Sequence, residues 1–283
     1  MGVIGLAAAC GHFHHDHERN LARVDTMIAH AREAGAQVLV LPHATLGGYV
    51  SDPSGQLTEA VPTSPDALSA DHPVFDRIAE LAREMVVCLG YTEVDGDRFH
   101  STAVCLDGDG VLGRHRKLHL PPGEAVTFTE GDRLAAFDTP IGRMGMLVDY
   151  DKTFPETARS LALDGATVLA VLSAWPASVT RRAATLVHDR QTRLFDLYDQ
   201  ARAAENQVVV LSSNQSGGMG RQRFVGSAKV VGPGGEILAT TGARGGLAVA
   251  AIDVAYEIER ARRVLFHLKE RRPDVYRSGD VAT

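Results

Sequence analysis

Short apolar runs alternate with stretches of helical periodicity along the whole chain. Val3–Cys10 reads as a strand, and from about Glu18 to Ala34 the residues Leu21, Val24, Ile28 and Ala31 recur on one helical face, with Gly35 suited to the C-terminal cap. Val38–Leu41, an apolar run stopped by Pro42, predicts a buried strand. Met85–Thr92 and Thr102–Leu106 predict two more, the second turning through Asp107-Gly108-Asp109-Gly110 into Val111–Arg116. Met144–Val148 predicts a strand that opens into a helix near Pro155–Leu163. In the second half, strands at Val168–Leu172 and Val208–Ser212 flank a long helix at Arg181–Glu205. Ala228–Val231, Glu236–Ala239 and Leu247–Ile252 then form a meander about the turn Pro233-Gly234-Gly235. No linker or repeat interrupts the alternation. It predicts one α/β domain over residues 1–283, a layered sandwich with a C-terminal tail from about residue 254.

Composition narrows the partners. A chain of 283 residues is long enough for one large core, and its 45% hydrophobic and 23% charged residues are ordinary for a globular protein. The net charge of −6 disfavours polyanions, and the pairs Arg181-Arg182, Arg262-Arg263 and Arg271-Arg272 lack the interleaved aromatics of a nucleic-acid surface. No apolar run approaches the roughly 18 residues of a membrane span. The first residues enter a strand with no basic region or cleavage signature, and Cys10, Cys88 and Cys105 form no CxxC spacing. The expectation is a cytoplasmic protein without disulfides, metal or cofactor, acting on a small molecule.

Three segments carry candidate chemistry. His43 follows the Val38–Leu41 strand directly, at the kind of strand tip where α/β folds hold reactive groups, and imidazole exchanges protons near neutral pH. Lys117 lies in Gly113-Arg-His-Arg-Lys-Leu-His-Leu120, where a solvated basic strand and an ammonium aimed at a developing oxyanion are both open readings, and Glu124 follows in the next loop. Asp149 ends the apolar Met144–Val148 run just before a helix, where an anion meets backbone N–H donors; helix capping and catalysis are both open readings. The run His12-Phe-His-His-Asp-His17 reads as a loop with Asp16 as N-cap, and metal binding by it is the minor alternative.

Taken in order, these segments resemble the nitrilase superfamily of carbon–nitrogen hydrolases over nearly the whole chain. The likeness rests on Pro42-His43 with Gly48-Tyr49, on Arg116-Lys117-Leu118-His119-Leu120, and on Asp149-Tyr150-Asp151-Lys152-Thr153-Phe154-Pro155-Glu156. Ala203-Ala204-Glu205-Asn206, Asn214, Phe224-Val225-Gly226-Ser227 with Pro233 and Gly235, and Arg271-Arg272-Pro273-Asp274-Val275-Tyr276 extend it. The resemblance implies an α-β-β-α sandwich of the nitrilase type, able to form four layers, and a homodimer or higher homo-oligomer built through the helix after Asp149. It implies a glutamate base, a lysine that steadies the oxyanion, a cysteine nucleophile and a second glutamate that positions substrate. Lys117 and Glu124 match that pattern. His43 stands at the base position and Asp149 at the nucleophile position, and Tyr49, Tyr150 and Trp175 are the expected pocket walls, Trp175 reading equally as an anchor for the long helix; Ser54–Pro73 and Ser216–Arg223 are the expected pocket-lining loops.

A carboxylate is a poor nucleophile toward an amide, and the cysteines sit in apolar strand patterns where a thiol behaves as a small hydrophobe. The expected chemistry is therefore noncovalent acid–base work by His43, Lys117 and Asp149 on a small amide-, nitrile- or imine-like compound. The alternative is a pseudoenzyme that binds a ligand or partner protein in the same pocket. Proton-transfer residues in both altered positions favour the enzyme, because unpaired buried charge costs several kcal/mol and drift would replace it with small or apolar residues.

Overall fold

The computed structural model describes residues 2–50, 66–219, 222–277 and 279. The first half builds β1 (Ile4–Gly11), α1 (His17–Glu33), β2 (Ala36–Val40), α2 (Val74–Ala82), β3 (Val86–Asp95), β4 (Arg98–Asp107) and β5 (Gly110–Arg116). There follow β6 (Phe137–Thr139), β7 (Gly142–Val148), α3 (Pro155–Leu163), β8 (Val168–Ser173), α4 (Arg190–Asn206) and β9 (Val209–Gln215). A short hairpin, β10 (Gly218–Met219) and β11 (Gln222–Arg223), precedes β12 (Lys229–Val231), β13 (Ile237–Thr240), β14 (Gly246–Ile252) and α5 (Val254–Arg262).

The strands hydrogen-bond in the order β5-β4-β3-β2-β1-β9-β8-β7-β6, with β14 antiparallel to β1 and β12 joining β9 to β13. The seam is β1: Gly5–Ala8 pair with β2, whereas Cys10 and Gly11 pair with β9. The two halves of the sheet turn face to face there, β2 and β3 lying against β8 and β4 against β7. Leu6, Val40, Cys88, Ala103, Met146, Val148, Ala170 and Leu211 fill the space between them. On one outer face α1 and α2 lay down Leu21, Val24, Ile28, Phe75 and Ile78, and on the other α3 and α4 lay down Ala158, Leu161 and Ala203. Central strands covered on both faces are uniformly apolar, which is why they read as runs and not as alternating patterns. The α-β-β-α sandwich is thus the fold of the chain.

The long helix comes out shorter than predicted. It starts at Arg190 and not at Arg181, because the Asp189 carboxylate accepts from Gln191 N at 2.9 Å and from Ser178 N and Oγ at 3.1 and 2.8 Å. That carboxylate caps the helix and ties the preceding segment into a loop, leaving a single 3-10 turn at Leu186–His188. The helix α2 begins directly after the predicted pocket loop Ser54–Pro73, whose residues 54–65 lie outside the described residues. The second predicted loop, Ser216–Arg223, carries the β10–β11 hairpin, with residues 220 and 221 also outside them. The tail from residue 254 starts as α5, capped by Asp253 and anchored through Val254 and Ile258 to the core between the sheets. No helix among the described residues is long and apolar enough to cross a membrane.

Candidate active site

The position of His43 follows from its neighbours. Past β2 the backbone stays zipped to β3, Leu41 N donating to Cys88 O at 2.8 Å and Gly90 N to Pro42 O at 3.3 Å. Gly90 is what allows the approach, since a Cβ there would lie 2.8 Å from the His43 Cα. Gln215 Nε2 donates to His43 O at 3.2 Å while its Oε1 accepts from Phe13 N at 3.0 Å, so β9 also fixes the turn. His43 therefore stands at the C-terminal ends of parallel strands, only 4% exposed.

Asp149 is the first residue beyond β7, opening a 3-10 turn over Asp149–Thr153, and its φ is +53°. That left-handed conformation costs a typical L residue about 1–2 kcal/mol, less for Asp, and such outliers gather at functional turns. Asp151 holds the turn in place. Its Oδ2 accepts from Val148 N at 3.2 Å and lies 2.9 Å from His115 Nε2. Its Oδ1 accepts from Leu118 N and His119 N at 3.1 and 3.0 Å and lies 2.9 Å from His119 Nδ1. One carboxylate thus staples the end of β7 to the residues on both sides of Lys117. Burial opposes its charge, but the bonds to His115 and His119 outweigh burial and keep the carboxyl well below the usual range.

Around these supports four of the expected residues converge. Lys117 Nζ lies 2.6 Å from Glu124 Oε2 and 3.6 Å from Asp149 Oδ2, and the same Asp149 oxygen is 3.7 Å from His43 Nδ1. Burial works against the Lys117 ammonium, yet Glu124 and Asp149 raise its pKa above the ordinary lysine value. Burial likewise works against the Asp149 carboxylate, and Lys117 followed by His43 lowers its pKa below the ordinary value. The pair is charged at neutral pH. The other Asp149 oxygen, Oδ1, is buried and accepts no hydrogen bond from any described residue.

Tyr49 joins the group, donating from its hydroxyl to Glu124 Oε1 at 3.4 Å and setting its ring edge-on to His43 and to Phe224. Tyr150 points elsewhere: its ring meets Phe154, which stacks on His119 at 3.8 Å. Trp175 lies with the long helix, its indole against Phe195 and Tyr198 and its Nε1 donating to Gln191 Oε1 at 3.0 Å. Of its two sequence readings, the contacts are those of an anchor for α4.

The sequence offered no signal for Ser101, whose Oγ lies 2.6 Å from His43 Nε2. It sits on β4 beside Lys117, whose backbone N donates to Ser101 O at 2.8 Å. The predicted strand began one residue later, and the pairing that brings Ser101 to Lys117 depends on a register shift between Cys105 and Leu106. A second buried charge group was equally silent. Asp199 takes Lys152 Nζ on Oδ1 and Lys229 Nζ on Oδ2, each at 2.8 Å, with both ammonium groups over the Phe195 ring. Burial pushes Lys152 down to about 8 against the pull of Asp199. Among the described residues no three His, Cys, Asp or Glu side chains are grouped to hold a metal ion. His43, Asp149 and Glu124 meet around the Lys117 ammonium, and in the His12–His17 run the His12 and His14 rings pack 4.1 Å apart while His15 Nδ1 sits 2.9 Å from Gly47 O and His17 Nε2 3.1 Å from Asp66.

Comparison with known proteins agrees with this architecture. The chain is 30% identical to a chloroplastic omega-amidase of Arabidopsis thaliana over 94% of its own length and 72% of that protein. It is 32% identical to an (R)-stereoselective amidase of a Pseudomonas species, covering 89% and 85%. The crystal structure of an amidase from Nesterenkonia superposes with a TM-score of 0.75 at 26% identity, covering 97% and 95%. A variant of that amidase, with a TM-score of 0.73, carries the acetamide moiety of fluoroacetamide added covalently at its active site cysteine. The model of the carbon-nitrogen hydrolase family matches residues 6–262 of this sequence, and the chain belongs to that family.

Proposed function

We propose that this protein is a hydrolase of small amide-like compounds that works without a thiol, through a His43–Asp149 proton-transfer pair with Lys117 as the partner of the oxyanion. In this reading His43 and Asp149 stand where the family's base and cysteine stand. The observation that carries it is the His43 ring, set between the Asp149 carboxylate, 3.7 Å from Nδ1, and a hydroxyl 2.6 Å from Nε2, with Lys117 near the same carboxylate oxygen. A carboxylate beside Nδ1 favours the proton on that nitrogen and orients the ring, which leaves Nε2 as the base. The carbonyl oxygen of a bound amide gains charge as it is attacked, and the buried Lys117 ammonium is a preformed countercharge. In this reading an amide N–H donates to Asp149 Oδ1, which accepts no hydrogen bond from a described residue.

The amidases among the relatives support amides as the substrate class. The cysteines do not restore the thiol route: all three are free and buried, and burial pushes the Cys10 and Cys105 thiols up, away from the reactive thiolate. Self-association through α3 and α4, where Leu163 and Leu197 are exposed, belongs to the same proposal. The test is ammonia release from a panel of short aliphatic and aromatic primary amides. The wild type turns over at least one of them, and Asp149→Asn and His43→Ala abolish that turnover. Full activity in both variants would sink the reading.

A further inference from the structure

We propose that Ser101 is the nucleophile of this site, making it a serine hydrolase of the Ser–His–Asp kind built on a carbon–nitrogen hydrolase fold. The inference rests on the proton-transfer reading of His43 and Asp149 and names the group from which His43 takes its proton.

The geometry points there because the His43 ring stands between a hydroxyl, hydrogen-bonded to Nε2, and a carboxylate that faces Nδ1 without bonding it. Nδ1 faces Asp149 Oδ2 at 3.7 Å, and Nε2 lies 2.6 Å from Ser101 Oγ. With the Nδ1 proton turned to the carboxylate, Nε2 is the acceptor and the Ser101 hydroxyl donates to it. This is the role order of a serine triad, recognised by geometry and not by position in the chain. A water attacking by way of Nε2 would have to displace Ser101 first, so the hydroxyl and not water is the group already set for deprotonation. This departs from the noncovalent route expected from the sequence. Lys117 is the cross-strand neighbour of Ser101, its N donating to Ser101 O at 2.8 Å, and its ammonium lies 3.6 Å from the same Asp149 oxygen that faces His43. Ser101 is held on a central strand and is 1% exposed, an environment in which a hydroxyl without a base beside it is chemically inert.

The steps balance. The Ser101 Oγ–C bond forms at the carbonyl carbon as the hydroxyl proton moves to His43 Nε2 and the π electrons move to the carbonyl oxygen, which Lys117 stabilises. The C–N bond then breaks with the return of that electron pair, and the leaving amine takes the proton from Nε2. The resulting Ser101 ester is attacked by water, whose proton passes to Nε2 and on to Ser101 Oγ as the C–O bond breaks, releasing the carboxylic acid. The substrate class is a small amide, or an ester as a faster surrogate.

The experiment uses the full-length protein with an alkyl fluorophosphonate and with p-nitrophenyl acetate. Intact mass should show one phosphonyl group per chain, mapped by peptide sequencing to Ser101, and the ester should give a burst of p-nitrophenolate equal to the enzyme concentration. Ser101→Ala should lose label and burst and lower turnover by about a thousandfold or more. Ser101→Cys, which keeps a nucleophile of similar size, should keep a burst that iodoacetamide abolishes, and this holds the test open if the alanine variant folds poorly. Saturating phosphonate that leaves Ser101 unlabelled overturns the proposal. So does full turnover by Ser101→Ala; if Asp149→Asn and His43→Ala are dead in the same assay, only the serine step fails and the proton-transfer pair stands.

Discussion

Lys117 Nζ lies 3.6 Å from Oδ2 of Asp149, with Lys117 wholly buried and Asp149 nearly so. Glu124 stands on the other side of the ammonium at 2.6 Å, so one cation compensates two carboxylates away from water. Lys117→Met removes that cation and leaves two buried anions facing each other. Breaking a buried ion pair in this way costs about 3–5 kcal/mol, and loss of an oxyanion donor costs on the order of 100-fold or more in turnover. Urea unfolding and amide turnover measure the two effects. An unchanged unfolding midpoint would contradict the arrangement.

Acid should weaken the protein in a defined window. Asp149, Asp151 and Asp199 all have carboxyls held below the ordinary value in the folded chain. Between those depressed values and about 3.9, the unfolded value, the unfolded chain binds more protons, so stability rises with pH there. Their contribution is complete above about pH 4 and is lost as the pH falls through the folded values. The urea midpoint should therefore hold from neutrality to about pH 5 and drop steeply below about pH 4. Asp151→Asn should remove part of that slope, and a slope identical to wild type would count against the Asp151 staple.

The second buried network predicts an order of severity. Asp199 is shared by Lys152 and Lys229, each 2.8 Å away, so Asp199→Asn strands the Lys152 ammonium and leaves Lys229 only the half-buried Asp196 at 3.0 Å. Lys152→Met leaves the Lys229–Asp199 pair intact and supplies an apolar chain against Phe195 and Trp175. Asp199→Asn should cost about 3–5 kcal/mol, and Lys152→Met distinctly less, because a well-packed apolar replacement can offset the lost pair. Equal shifts in the denaturation midpoints would mean that the two lysines do not depend on Asp199 as the distances imply.

The double variant His43→Glu with Asp149→Cys restores the residue types that the family resemblance implies, beside unaltered Lys117 and Glu124. It should gain amide turnover that iodoacetamide abolishes, since Cys10, Cys88 and Cys105 are buried in strands. Amide turnover insensitive to iodoacetamide would place the reaction elsewhere, and no turnover would mean that the pocket around these residues has been rebuilt.

The sequence by itself determined the layers and three corners of the site. Apolar runs too uniform for a half-exposed strand can only lie inside a covered sheet, and the helical spacing of Leu21, Val24, Ile28 and Ala31 can only face one. Each of His43, Lys117 and Asp149 follows a strand directly, so knowing the strands sufficed to place them at one end of the sheet. Ser101 shows what only tertiary structure decided. Counted back from the Asp107–Gly110 turn in regular register, Ser101 would pair with Arg116; the shift between Cys105 and Leu106 pairs Thr102 with Arg116 instead and brings Ser101 beside Lys117. A one-residue slip exchanges the faces of a strand, and the residues that make this one carry no local mark of it. The same limit applies to Lys152, Asp199 and Lys229, which come from a turn, a helix and a strand far apart in the chain and meet because a buried charge needs an opposite one beside it.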